Sequence, residues 1–323
     1  MRRLLLPALL VLLLVGAVAC EPTAAVNPTR TPKEFGASTS PWDVDDWAKS
    51  VGAKPTALLL FEQFSLNRNL DKQFTEARRQ HLRSIMVSWE PWTPVDASRG
   101  KAAQYAVQSQ WTNKTIADGK HDAYLKLFAQ SVKRSGIKVW IRYAHEMNGD
   151  WYPWSHDPAN FVKAWRHVFN IFKAQNVTNA RFVFSMNPSL YLSDSAFLKS
   201  VNPYWPGTGY VHAIGTTMIN FGGTKTYSVS KFVHRFKIMR KYYPKDLYIA
   251  EAQTDEASRV KWLTELRNWL RSSDAGFVLG MNLSQYTSRG QEQMGDKVGN
   301  LNWSVTNDPS TKPIIRSIIA TTT

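Results

Sequence analysis

The segment Arg142-Tyr-Ala-His-Glu-Met-Asn-Gly-Asp-Trp-Tyr-Pro-Trp154 gathers a glutamate, a guanidinium, an imidazole, an amide and several large aromatic rings in thirteen residues. Such a set suits Glu146 for acid/base work. Arg142, His145 and Asn148 surround it with hydrogen-bonding groups, and aromatic walls such as Trp151 and Trp154 supply the desolvation that raises a carboxyl's pKa. A second carboxyl, Glu251, lies 105 residues further on (251 − 146), so only the fold brings the two together. Two carboxyls about 5–5.5 Å apart perform retaining glycoside hydrolysis: one protonates the leaving oxygen and later activates water, the other attacks the anomeric carbon. Arg142 is placed to hold Glu251 as a carboxylate.

Rival chemistries lack their residues. A zinc motif His-Glu-x-x-His needs a histidine at 149, where Gly149 stands. There is no Gly-x-Ser-x-Gly elbow. No Gly-x-Gly-x-x-Gly follows a strand, which removes support for dinucleotide binding. No metal and no cofactor are expected. His81, His121, His167 and His234 fall on helical or loop patterns and read as surface or packing residues.

The elements that must position these groups are legible as short apolar runs alternating with longer amphipathic ones, the pattern of βα units on a parallel sheet. Strands are predicted over 35–38, 57–61, 84–89, 138–143, 181–186, 212–218, 247–250 and 277–283, with helices over 71–81, 122–135, 158–174, 228–242 and 259–270. Asp157-Pro158 is a good helix start. Eight strands separated by helices predict an α/β fold, the (β/α)8 TIM barrel, with a doubly wound open sheet as the alternative. In a barrel, catalytic groups sit at the C-terminal ends of strands. Trp89, Glu90 and Trp92 end the third, His145 and Glu146 follow the fourth, Asn187 ends the fifth, Glu251 ends the seventh, and Asn282 and Tyr286 lie near the end of the eighth.

The chain of 323 residues is 43% hydrophobic, enough for a sizeable core, and 13 tryptophans are more than packing alone commonly uses. Flat aromatic faces suit sugar-binding clefts. Arg2 and Arg3 precede an apolar run and the small residues Ala17-Val-Ala19, an export signal too short to span a bilayer. The sole cysteine, Cys20, follows directly, and 14–20 resembles a bacterial lipobox in which that cysteine is lipidated. The expected organisation is a signal peptide over 1–19, a Pro/Thr/Ala-rich tether over 20–34, and one catalytic domain over 35–323. The expected location is outside the cell, lipid-anchored to the membrane or secreted. Net charge is +15, and removal of residues 1–19 with Arg2 and Arg3 leaves +13. That balance favours anionic surfaces, such as cell-wall polymers, through long-range attraction. Export, and the lack of any nucleic-acid-binding motif, argue against nucleic acid.

The residues just described resemble glycoside hydrolase family 26, the bacterial β-mannanase family. The Arg142–Trp154 segment is similar to that family's acid/base motif almost residue for residue. Trp89-Glu-Pro-Trp92, Asp118–Tyr124, Trp165-Arg166, Ser185-Met-Asn187, Tyr204–Val211 and Ile249-Ala-Glu-Ala252 resemble further family segments in the expected order, over roughly 35–310. The resemblance implies a (β/α)8 barrel and a retaining mechanism. Glu146 is then the acid/base and Glu251 the nucleophile, with His145 and Trp151 lining the subsite of the cleaved sugar. It implies β-1,4-mannan as substrate, with mixed-linkage β-glucan, β-1,3-xylan or a glycan of the producing cell as other β-linked polysaccharides, and a non-catalytic carbohydrate-binding lipoprotein as the competing reading. The chain departs from the family pattern at Ile219, where a tyrosine contacting the nucleophile is usual, at Met186, where proline is usual, and at Gln253, where a small residue is common.

Overall fold

In a β-strand successive side chains face opposite ways, so an eight-stranded closed sheet sorts each strand's residues into an inner and an outer set. The computed structural model describes residues 33–94, 107–223, 225–284 and 308–321. Cys20 and Tyr286, with residues 1–32, lie outside the described residues. Residues from Pro32 to Thr323 form one compact unit.

The strands are β1 (Glu34–Ala37), β2 (Ala57–Gln63), β3 (Ser84–Glu90), β4 (Lys138–Tyr143), β5 (Ala180–Met186), β6 (Ala213–Asn220), β7 (Leu247–Thr254) and β8 (Val278–Leu283). They are hydrogen-bonded in sequence order and closed by parallel pairing of β1 with β8. This is the (β/α)8 barrel, and the open-sheet alternative is set aside by the closure. The helices are α1 (Val44–Val51), α2 (Asp71–Arg79), α3 (Asn113–Ala117), α4 (Asp122–Arg134), α5 (Pro158–Ala174), α6 (Asp194–Val201), α7 (Val229–Tyr242), α8 (Arg259–Arg271) and α9 (Lys312–Ile319). Helix α5 starts as the sequence predicts: the Asp157 carboxylate accepts from Asn160 N at 3.3 Å, and Pro158 occupies the first turn.

Leu59, Met86, Trp140, Val183, Ala213, Tyr248 and Ala250 pack together inside the barrel. Outer residues such as Ile85, Val87, Trp89, Phe182 and Phe184 join the larger core beneath the helices. At the barrel's N-terminal end the buried Glu34 carboxylate accepts from Ser84 Oγ (2.6 Å), Lys138 Nζ (2.6 Å) and Trp140 Nε1 (2.7 Å), tying β1 to β3 and β4. Contacts at that end of a barrel serve stability, and the C-terminal end is left for chemistry.

Two boundaries differ from expectation in a way that matters. Strands β6 and β7 run on to Asn220 and Thr254, because Thr217–Asn220 pair in register with Glu251–Thr254. Glu251 therefore lies within β7 rather than at its end. Helices α1, α3, α6 and α9 were not predicted.

Candidate active site

Strand β4 delivers Arg142 to the barrel's interior. Ser88 on β3 is its register partner. The guanidinium is clamped between neighbours: Nη1 donates to Ser88 Oγ at 2.8 Å, and Nε donates to Ser185 Oγ on β5 at 2.9 Å. Arg142 is completely buried, and its Nη1 also donates to Glu251 Oε1 at 2.7 Å. Among the described residues this is the side-chain hydrogen bond to Glu251. A buried carboxylate needs such a partner once it has lost water.

Glu251 faces inward because β7 carries an irregularity. Tyr248 and Ala250 both belong to the inner cluster, so strict alternation would turn Glu251 outward. Register jumps between Thr216↔Ile249 and Thr217↔Glu251, leaving Ala250 as an extra residue. This bulge resets the phase and brings Glu251 inside, a re-aiming typical of bulges at active sites. Ala252 then returns to the outer core. The bulge has a clasp: Asn282 Nδ2 on β8 donates to the Ala250 carbonyl at 3.0 Å.

After β4 the backbone turns sharply. Ala144 and Glu146 both adopt left-handed φ, 42° and 54°. Non-glycine residues reach that region at a cost and persist there when neighbours hold them. Here Ala144 N donates to Trp89 O (3.0 Å) and Glu146 N to Ser185 O (2.7 Å), stitching the turn to both flanking strands. The turn places Glu146 where three elements meet its carboxyl. Thr217 Oγ1 of β6 donates to Oε1 at 2.6 Å, Asn187 Nδ2 to Oε1 at 3.1 Å, and Trp151 Nε1 to Oε2 at 3.1 Å. Burial pushes the Glu146 carboxyl above the ordinary range; the Arg142 cation opposes this, Glu251 adds to it, and the Thr217 and Asn187 hydrogen bonds oppose it. Burial is the largest of these effects, and it favours the protonated form.

Asn148 acts at one remove. Its Oδ1 accepts from Asn187 N (2.8 Å) and its Nδ2 donates to Asn187 O (3.0 Å), while Asn187 Oδ1 accepts from Ser189 N (2.8 Å). Those bonds leave the Asn187 amide nitrogen turned to Glu146. Gly149 is required by Trp151: a Cβ there would lie 2.5 Å from the indole ring. The position where a zinc motif needs histidine is thus filled by the half-buried ring of Trp151.

A third carboxyl, Glu90, ends β3. Its Oε2 accepts from Gln63 Nε2 (3.0 Å) and Trp92 Nε1 (3.1 Å). It is 3% exposed, and burial pushes it up to about 7 against the pull of those two donors and of Arg142. His145 is held neutral: burial, then the Arg142 cation, push its imidazole well down. Its Nε2 lies 3.0 Å from the Tyr152 hydroxyl.

The predicted residues divide by this geometry. Arg142, Glu146, Glu251, Asn187, Trp151, Glu90 and Trp92 come together, with Asn148 and His145 supporting them. Trp89 does not: the strand period that turns Glu90 inward turns Trp89 outward, where it stacks on Phe128 of α4 (4.2 Å between centroids) and donates to Tyr124 Oη at 2.9 Å. Its assignment to substrate binding is corrected to core packing. Trp154 is fully buried, stacked on Tyr152 at 4.2 Å and donating to His145 O at 2.8 Å, so it braces the loop and offers no face to a sugar. Met186 also faces the outer core. Thr217 was missed; its signal is the alternation of β6, in which Ala213 is inward and Ile214 and Met218 outward. The same alternation turns Ile219 inward, in register with Gln253. Gln253 is buried, and neither its amide nitrogen nor its amide oxygen has a hydrogen-bond partner among the described residues.

Comparison with known proteins agrees with this architecture. The model of glycosyl hydrolase family 26 matches residues 95–244, which include Glu146. Endoglucanase H of Acetivibrio thermocellus is 25% identical over 288 residues, covering 84% of this chain and 30% of that protein. Mannan endo-1,4-beta-mannosidase A and B of Caldalkalibacillus mannanilyticus is 26% identical over 92 residues, 26% of this chain and 17% of that one. The chain thus spans less than a third of the length of these curated relatives. Among solved structures, the family 26 domain of an endo-beta-mannanase/endo-beta-glucanase from Prevotella bryantii superposes with a TM-score of 0.57 at 16% identity, covering 83% of this chain and 90% of that one. A Cellulomonas fimi endo-beta-1,4-mannanase gives 0.60 at 13%, covering 90% and 70%. At these identities the structural likeness is one of fold.

Proposed function

We propose that the chain is a glycosyl hydrolase family 26 barrel and a retaining endo-β-glycoside hydrolase of an extracellular polysaccharide, with β-1,4-mannan its leading substrate. The observation that carries this reading is the buried Arg142–Glu251 ion pair set beside Glu146, whose carboxyl is raised by burial. Glu146 gives its proton to the glycosidic oxygen while Glu251 attacks the anomeric carbon. Glu146, now a carboxylate, draws a proton from water, which opens the Glu251 glycosyl ester. Thr217 suits both stages, since a hydroxyl accepts from the protonated acid and donates to the carboxylate. Trp151, half-buried beside Glu146, is the aromatic face on which a sugar ring would stack.

A β-glucan is the second substrate reading. It is favoured by the relative named an endoglucanase, which matches 84% of this chain, and by the apolar Ile219 where the family tyrosine is usual. We also propose export, with lipid attachment at Cys20. The purified chain is expected to release reducing ends from one of a panel of β-mannans, β-glucans and xylans. Glu146→Ala and Glu251→Ala should each abolish release. Turnover surviving both substitutions overturns the assignment.

A further inference from the structure

The barrel's other face carries charge that hydrolysis does not use. A cleft of about 1150 Å³ opens among the N-terminal ends of β4 to β8, on the side away from Glu146 and Glu251. Its walls hold five cations, Arg181, Lys237, Arg240, Lys241 and Lys245, against two carboxylates, Asp246 and Asp274. Lys237 Nζ pairs with Asp274 at 2.9 Å, and Arg240 Nη2 with Asp246 at 3.4 Å. Arg181, Lys241 and Lys245 have no carboxylate partner among the described residues. The Arg181 guanidinium is fixed by donation to the Thr178 and Ala180 carbonyls, both at 2.8 Å, which orient it without neutralising it. Concentrated like-sign charge in a concave wall focuses field and draws anions.

We propose that this face docks on an anionic phospholipid surface. Two observations choose a membrane over a soluble polyanion. The described chain begins at Lys33, and Glu34 opens β1 at the barrel end where this cleft lies. The stretch from Cys20 to Lys33 is fourteen residues, with a reach of about 45 Å at full extension. A lipid-attached Cys20 would hold the cationic face at high local concentration over headgroups. Docking this way turns the Glu146–Glu251 mouth outward, toward polysaccharide. The inference uses the export reading but not the hydrolase reading, and a failed hydrolysis assay leaves it standing.

The test takes the mature chain from residue 20 with Cys20→Ser, so that no acyl chain contributes. Its partition onto vesicles of equal phosphatidylglycerol and phosphatidylcholine is measured by sedimentation, beside phosphatidylcholine alone. Each cation near such a surface strengthens partition about fivefold, so Lys241→Glu/Lys245→Glu should lower it at least tenfold and Lys241→Gln/Lys245→Gln by less. Binding should vanish in high salt. The pair Lys72→Glu/Lys163→Glu, with the same charge change on α2 and α5, should leave it within twofold. Unchanged circular dichroism and thermal midpoint of the variants show that folding is intact. Equal loss in the control pair, equal binding to uncharged vesicles, or binding to soluble polyphosphate without binding to vesicles each overturns the proposal.

Discussion

Thr217 Oγ1 lies 2.6 Å from Glu146 Oε1, and Thr217 is the register partner of Glu251 on the next strand. One residue of β6 therefore touches the first carboxyl and stands beside the second. The contact couples a turn after β4 to a bulged β7 across the barrel mouth, and it fixes Glu146 relative to Glu251 without either glutamate being near the other in sequence.

Replacing Thr217 with valine keeps the shape and removes the hydroxyl. Loss of one preorganised donor at a developing charge costs roughly a hundredfold in kcat. The sign of the pH effect follows from the same bond. Thr217 lowers the Glu146 pKa, so its removal raises that pKa further. The alkaline limb of kcat/KM, which reports loss of the acid's proton, should move to higher pH. A pH–rate profile of Thr217→Val with an unmoved limb would contradict the role given to the hydroxyl.

Arg142 holds Glu251, Ser88 and Ser185 at once. Arg142→Met strands a buried carboxylate, and breaking such a pair costs about 3–5 kcal/mol. Adding Glu251→Gln removes the stranded charge. The double variant should unfold in urea at a higher midpoint than Arg142→Met alone, while remaining inactive. Additive losses of stability in the two single variants and the double would show that the pair is not coupled.

Glu90 sets a pH dependence of stability. Its carboxyl is buried and pushed up to about 7 from an ordinary 4.5. Below pH 4.5 it is protonated folded or unfolded, and costs nothing. As pH rises through about 7 the unfolded chain gains by ionising first, so folding stability is lost across that window, by about 3 kcal/mol for the full shift. Glu90→Gln keeps a neutral amide there. Urea titrations at pH 4.5 and 8 should show a smaller drop for the variant than for the parent chain. Parallel drops would place Glu90's ionisation elsewhere.

Much of this was legible in the sequence because it rests on short-range rules. Short apolar runs between longer amphipathic ones located eight strands, and Asp157-Pro158 located the start of α5. The chemical density of the Arg142–Trp154 segment marked Glu146. What was not legible depends on strand register and tertiary burial. Trp89 and Glu90 are adjacent, yet one lies in the core and the other in the site, and only the pleat decides which. Trp154 reads like Trp151 but stacks behind Tyr152. Helices α1, α6 and α9 are eight residues each and α3 is five, so their patterns are short. Glu251 as an inward residue depends on the Ala250 bulge, which no composition signals. The organisation over 1–34 rests on sequence pattern alone.

The bulge that aims Glu251 rests on one amide, and that amide rests on one glycine. Asn282 donates to the Ala250 carbonyl, and a Cβ at Gly36 would lie 1.8 Å from Asn282 Oδ1. Gly36 is there because the Asn282 side chain occupies the space a larger residue needs. Asn282→Ala should leave KM within about twofold and lower kcat at least tenfold, because misplacing a reacting group by about 1 Å costs on the order of a hundredfold. Gly36→Ala should lower both kcat and the thermal midpoint by forcing Asn282 aside. In Gly36→Ala/Asn282→Ala the clash is gone, so the midpoint should recover toward that of Asn282→Ala, while kcat stays low because the clasp is still missing. Such non-additivity is the mark of two residues acting on one another. If the double variant instead loses the sum of the two single effects on the midpoint, Gly36 and Asn282 act independently, and the bulge is held by the β6 pairing alone.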